Sequence, residues 1–245
     1  MILRGLVSFT LAEARCELIS SPIDSVFRTF NKMPNKKLAS GRAILLTLLL
    51  TIPLVVYAQD QPLKLNYRLA MSQPSSHLFE VAIEVEVPQS WTPESLDFQM
   101  PKWSPGRYAV FDFAKNVQQF HALGGICPRG NIPCNLPDFP VTRVDEQTWR
   151  VSMMNTHSAT INYKVYGNDL SGTFSQLDSH HANFNGGNLF MYVVNHKPDP
   201  VTLTIDPPNG WRIVNGRLES RDQREWHFPN WDIMSPLTLA HNLVM

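Results

Sequence analysis

None of the eight histidines is followed by glutamate; the next residues are Leu78, Ala122, Ser158, His181, Ala182, Lys197, Phe228 and Asn242. A zinc hydrolase motif of the His-Glu-x-x-His kind needs its general base directly after the first ligand, so that chemistry is excluded for this chain. The Gly-x-Ser-x-Gly elbow of a nucleophilic serine is also missing. Ser104, in KWSPGRY, precedes a Pro-Gly turn and suits turn chemistry rather than attack. Composition leaves open only a Ser/His/Asp triad assembled from distant loops. There is no glycine loop to cradle phosphate, and Gly186-Gly187-Asn188 is too short and is not expected to open a helix. Net charge is absent as well, since 21 basic side chains balance 21 acidic ones.

That zero hides an asymmetry. Residues 1–58 hold seven basic side chains (Arg4, Arg15, Arg28, Lys32, Lys36, Lys37 and Arg42) against three acids (Glu13, Glu17 and Asp24). The rest keeps 14 of the 21 basic and 18 of the 21 acidic groups. A mildly acidic body cannot neutralise phosphates, which excludes nucleic acid as a partner. The basic excess falls where a secretory signal would need it. Lys36, Lys37 and Arg42 form a positive region, Ala43–Val56 an apolar one, and Val56-Tyr57-Ala58 places small residues before a cleavage point. The rival reading is a membrane anchor, but 14 apolar positions fall short of the roughly 20 needed to span a bilayer. Segment 33–58 is therefore expected to be a signal peptide starting at Met33, with residues 1–32 an over-extended start or leader. The mature protein would begin at Gln59, be periplasmic or extracellular, and keep no stable membrane span.

Cysteine is scarce. Of three, Cys16 would be lost with the leader, leaving Cys127 and Cys134 in the Pro/Gly-rich loop ICPRGNIPC. Export makes a disulfide the default for such a pair, with two free thiols as the alternative. Zinc would need further ligands, and no histidine lies between Gly124 and Pro140.

Strand patterning is abundant. In His77–Val87, Phe79, Val81, Ile83, Val85 and Val87 alternate with Glu80, Glu84 and Glu86, which marks a half-buried strand. Similar short runs lie at Leu96–Met100, Thr148–Met153, Thr160–Val165, Leu189–Val194, Val201–Ile205, Trp211–Val214 and Arg224–Phe228. Turn chemistry separates them, and a short helical turn is expected near Phe111–Lys115. The fold class is all-β and mostly antiparallel, as a curved sheet or β-sandwich.

One stretch, DSHHANFNGG (Asp178–Gly187), concentrates ligand-type side chains. If extended, it would point His180 and His181 to opposite faces, leaving Asp178 and His180 as the pair able to share a metal. Two ligands hold zinc poorly, so a hydrogen-bonded loop or a contact surface for a partner domain is the stronger reading. The tryptophans raise a separate possibility. Exposed Trp91, Trp103, Trp211 or Trp231 would make a stacking platform of a carbohydrate- or protein-binding sandwich, whereas Trp within alternating strands belongs to the core.

An ordered set of phrases carries a family resemblance: YRLAMSQPSSHLFEVAIEVEV, LDFQMPKWSPGRYAVFDFAKNVQQF, VDEQTWRV, YKVYGNDL, LDSHHANFNGGNLFMYV and PPNGWRI. From about Leu65 to Pro236 the chain resembles the N-terminal β-domain of the glycyl-aminopeptidase family of zinc metallopeptidases (metallopeptidase family sixty-one). The resemblance implies a non-catalytic domain over 59–236 that packs on a thermolysin-like catalytic domain and helps wall its substrate cleft. Zinc and the general base would belong to that partner, through which alone peptide would be engaged. No catalytic or metal residue of the family maps onto this sequence. The candidate interface or cleft-wall residues are Asn168, Asp169, Asp178, His180, His181, Asn183, Asn185 and Gly186. Family members typically carry an acid before the Ser-Pro that here follows Met234; residues 237–245 are expected to be a divergent tail of a truncated peptidase.

Overall fold

The computed structural model describes residues 62–103, 109–126, 135–213 and 223–235. The chain divides into two units, Met1–Ala58 and Gln59–Met245, and all the described residues lie in the second. The expected signal segment, the leader before it, Cys127 and Cys134, Ser104 and the 237–245 tail fall outside the described residues.

Alternation becomes pleat along β1 (Lys64–Ala70) and β2 (Leu78–Glu86), which pair antiparallel. Phe79, Val81, Ile83 and Val85 turn inward and are almost wholly buried, while the glutamates between them face out. Burying a side chain of this size contributes about 1.5–3 kcal/mol, so the inward row specifies the register. Cross-strand ion pairs mark the outer face, with Lys64 on Glu86 and Lys164 on Glu80.

β1 and β2 are central in a seven-stranded sheet. On one side lie β12 (Val201–Asp206) and β13 (Glu225–Phe228); on the other lie β8 (Ser158–Tyr166), β4 (Val117–Leu123) and β5 (Asp138–Phe139). Only the β1–β12 pair is parallel. β4 carries a bulge between Gln118 and His121, with Gln119 left-handed at φ 52°. The extra residue resets the alternation so that Phe120 and Ala122 both meet the core. A second, four-stranded antiparallel sheet runs β11 (Tyr192–Val193), β3 (Ser95–Gln99), β7 (Thr148–Ser152) and β6 (Val141–Arg143).

The two open sheets share one apolar core. Phe120 of the larger stacks on Trp149 of the smaller at 5.3 Å between ring centres. A small hairpin joins β9 (Gln176–Leu177) to β10 (Ala182–Asn183).

Two expectations need correction. The run Leu189–Val194 is not one strand: only Tyr192–Val193 pairs, and Gly186–Leu189 forms a single helical turn, α1. Gly186-Gly187-Asn188 therefore does open a helix, because the Asn185 side chain caps the Gly187 N–H at 2.9 Å. At the expected Trp211–Val214 run, Trp211 and Ile213 are buried on either side of Arg212, which forms a β-bridge, and Val214 lies outside the described residues. The helical turn near Phe111–Lys115 is present as a 3-10 turn over Phe113–Asn116. No helix among the described residues is long and apolar enough to cross a membrane.

Candidate functional site

Pairing of Val117 with Val165 brings the turn before β4 against the end of β8. Beyond β8, Gly167 lets the chain fold back closely: a Cβ there would lie 2.7 Å from the Phe79 ring and 2.9 Å from the Ser175 carbonyl oxygen. The returning segment then crosses at the Asn168–Gln176 bridge, and the Asp169 N–H donates to Ser175 O at 3.1 Å. Between these elements lies an open cleft of about 280 Å³, lined by Lys115, Asn116, Val165, Tyr166, Asn168, Asp169, Phe174, Ser175 and Asn188.

The floor is polar and internally satisfied. Ser175 Oγ donates to Asn188 Oδ1 (2.7 Å) and accepts from the Asn185 N–H (3.1 Å), and Asn188 Nδ2 donates to Thr173 O (2.7 Å). Asn185 adds a bond to Gly172 O at 3.3 Å. The Ser175, Asn185 and Asn188 side chains are buried, and pairing them removes the cost of about 1–3 kcal/mol for each polar group left unmet. One wall is aromatic, where Phe174 meets Phe113 and Phe111 edge to face at 5.5 and 5.8 Å.

The expected site residues separate into three groups. Asn168 and Asp169 line the cleft directly. Asn185 and Gly186 stand behind its floor. A Cβ on Gly186 would approach Ser235 O to 2.9 Å, so this glycine lets the α1 turn sit against the C-terminal turn α2 (Trp231–Met234). That turn is held by Lys197, whose ammonium lies 4.1 Å from the Tyr192 ring centre and 5.0 Å from that of Trp231. Asp178, His180, His181 and Asn183 form the third group, on the β9–β10 hairpin outside the cleft lining.

In the hairpin the two histidines are not on an extended segment. Asp178 Oδ1 accepts the backbone N–H groups of both His180 (2.7 Å) and His181 (2.9 Å), which wraps the chain into a tight turn. The side chain that meets Asp178 is His181, at 3.1 Å, not His180; its other ring nitrogen faces Gln176 Oε1 at 3.0 Å. Desolvation pushes the Asp178 carboxyl up. The two backbone donors and the neighbouring imidazoles outweigh it and hold the carboxyl below its ordinary value. This is turn chemistry. No group of three or more His, Cys, Asp or Glu side chains converges among the described residues.

A hydroxyl–imidazole–carboxylate sequence does occur at Thr202, His227 and Glu225, with contacts of 3.1 and 3.5 Å. It lies on the outer face of β12 and β13, where the His227 side chain is 76% exposed, so water screens it and nothing desolvates a reacting group. Of the tryptophans, Trp149, Trp211, Trp226 and Trp231 are buried and Trp91 stacks on His196 at 5.4 Å; only Trp103 is exposed. A platform of two exposed indoles does not form.

Sequence reasoning did not single out Lys115, Asn116, Tyr166, Phe174 or Ser175. Their common signal is the β4–β8 pairing and the fold-back after Gly167, neither of which is a local pattern.

Comparison with known proteins agrees with the architecture. No protein of curated function matches the chain significantly. It is similar in structure to an aminopeptidase N family protein from Idiomarina loihiensis, with 24% identity and a TM-score of 0.58. The match covers 73% of this chain and 28% of the other, so the chain spans under a third of that protein's length. Likeness to an M1 zinc metallopeptidase from Deinococcus radiodurans is fainter, with 11% identity, a TM-score of 0.35, and coverage of 69% of this chain and 39% of that one. The model of the peptidase M61 N-terminal domain matches residues 66–237. On that match, the chain belongs to the peptidase M61 N-terminal domain family.

Proposed function

We propose that this chain is an exported, non-catalytic β-domain that docks onto a zinc aminopeptidase catalytic domain and helps wall its substrate cleft, whether that domain shares the polypeptide or is a separate chain. The observation that carries the reading is the family match over 66–237, which takes in nearly all the described residues. The glycine contact at Gly186 and the Lys197 clamp support it by holding the C-terminal turn firmly against the body, as a junction to a further domain requires. In this reading zinc and the general base reside in the partner, and peptide is cleaved only there. Cleavage after Ala58 delivers the domain to the periplasm or the exterior, where Cys127 and Cys134 join.

Two measurements test it. The full chain alone should bind no stoichiometric zinc and release no amino acid from Gly- or Ala-terminated peptides; chelator-sensitive hydrolysis overturns the non-catalytic role. Cross-linking in the native envelope should join it to a segment containing His-Glu-x-x-His. Recovery without any such segment overturns docking.

A further inference from the structure

The cleft beyond β8 carries two charged side chains of opposite sign, Lys115 and Asp169. Among the described residues, Lys115 makes no ion pair and its only aromatic neighbour is the Phe174 ring, 6.0 Å from the ammonium. Asp169 has its backbone N–H bonded to Ser175 O, but its carboxylate has no hydrogen-bond or ion-pair partner among them either. Both line the same cleft and do not pair with each other. The same cleft is lined by Asn116, Asn168, Val165 and Phe174. Beneath is the buried Ser175–Asn188 pair.

We propose that this cleft binds a small zwitterion, a free amino acid or a dipeptide, with Asp169 taking the ammonium and Lys115 the carboxylate. Charge selects the class. A lone anion at Lys115 would share the cleft with the Asp169 carboxylate, and a lone cation would leave Lys115 unmet; a molecule carrying both charges satisfies both. Charge-assisted hydrogen bonds of this kind are roughly twice as strong as neutral ones. Size agrees, since about 280 Å³ lies just under the roughly 300–1,000 Å³ of drug-sized sites. The Phe174 and Val165 surfaces would receive a small apolar side chain. The proposal stands on this cleft alone and needs no catalytic partner.

The test is an amide NMR titration of the full chain with alanyl-alanine, its N-acetyl and C-amide derivatives, and acetate and methylammonium as single-charge controls. Saturable shifts are expected at Lys115, Asn116, Asn168, Asp169 and Ser175 with the free dipeptide. Blocking either terminus should weaken binding about tenfold or more, roughly 1.4 kcal/mol. Asp169→Asn should lose the same factor for the free dipeptide and lose nothing further for the N-acetyl form; Lys115→Met should behave likewise towards the C-amide. Both positions are exposed, and unchanged shifts elsewhere will report an intact fold. Equal binding of free and blocked peptides, shifts centred elsewhere, or no saturation by roughly 50 mM ligand would overturn the proposal. Neither a positive nor a negative titration bears on whether a catalytic domain docks.

Discussion

Replacing Tyr163 by Phe removes one oxygen and strands two backbone groups. The Tyr163 hydroxyl donates to Leu189 O at 2.8 Å and accepts the Met191 N–H at 2.9 Å, both inside the core. Tyr67, one layer along, makes a single such bond, to Met191 O at 2.9 Å. A buried backbone group left unmet costs about 1–3 kcal/mol, so Tyr163→Phe should lose about 2–4 kcal/mol and Tyr67→Phe about 1–2 kcal/mol. Phe keeps the ring, including the edge-to-face contact of position 67 with Phe190, so packing loss does not blur the comparison. Urea unfolding of the full chain, followed by Trp fluorescence, reads the difference. A second limb checks the same bonds. Burial pushes both phenols up, that of Tyr67 further raised by Tyr163, and the Met191 N–H opposes the rise at Tyr163. An acid whose pKa is raised on folding contributes stability that is whole below its unfolded value and lost as pH climbs above it. With unfolded Tyr near pH ~10, stability should fall above that point by about 1.4 kcal/mol per pH unit for each phenol. Burial raises the Tyr192 phenol too, so Tyr163→Phe should remove one phenol's share of that slope and leave the rest. Equal losses in the two variants, or flat wild-type stability from about pH 9 to 11, would refute this account of how the α1–β11 segment is held.

Gly186→Ala should cost about 1–3 kcal/mol, because its Cβ would meet Ser235 O at 2.9 Å and the Phe190 ring at 3.2 Å; limited proteolysis should then cut near residues 231–235 first. Asp178→Ala should destabilise the β9–β10 turn by about 1 kcal/mol, as loss of a capping side chain does. The Asp178 carboxyl is held low in the folded state, so its contribution is present above pH ~4 and lost as pH falls through the folded value; acid titration of Asp178→Asn should show a shallower decline. Alkylation of unreduced exported protein should label neither Cys127 nor Cys134, and the loop they close should add about 2–3 kcal/mol by chain entropy. Labelling of both would refute the disulfide.

Local alternation was enough to place β2, β3, β7, β8, β12 and β13, because a half-buried strand writes its period of two into the side chains that face the core. The family was legible too, from the order of phrases between Leu65 and Pro236. β4 was not, since the bulge at Gln119 breaks its alternation, and Leu189–Val194 misled because buried helical turns and buried strands are equally apolar. The candidate site divides the same way. Asp178 could be read as a turn former from its own neighbours, but its partner is His181, not His180, because the turn it caps redirects the chain. The cleft exists only in three dimensions. Lys115 and Asp169 are far apart in the chain, and they come to line one cavity because Val117 pairs with Val165 and Gly167 allows the return of Asn168–Ser175. Backbone pairing of that range depends on the whole sheet, so no window of sequence contains it.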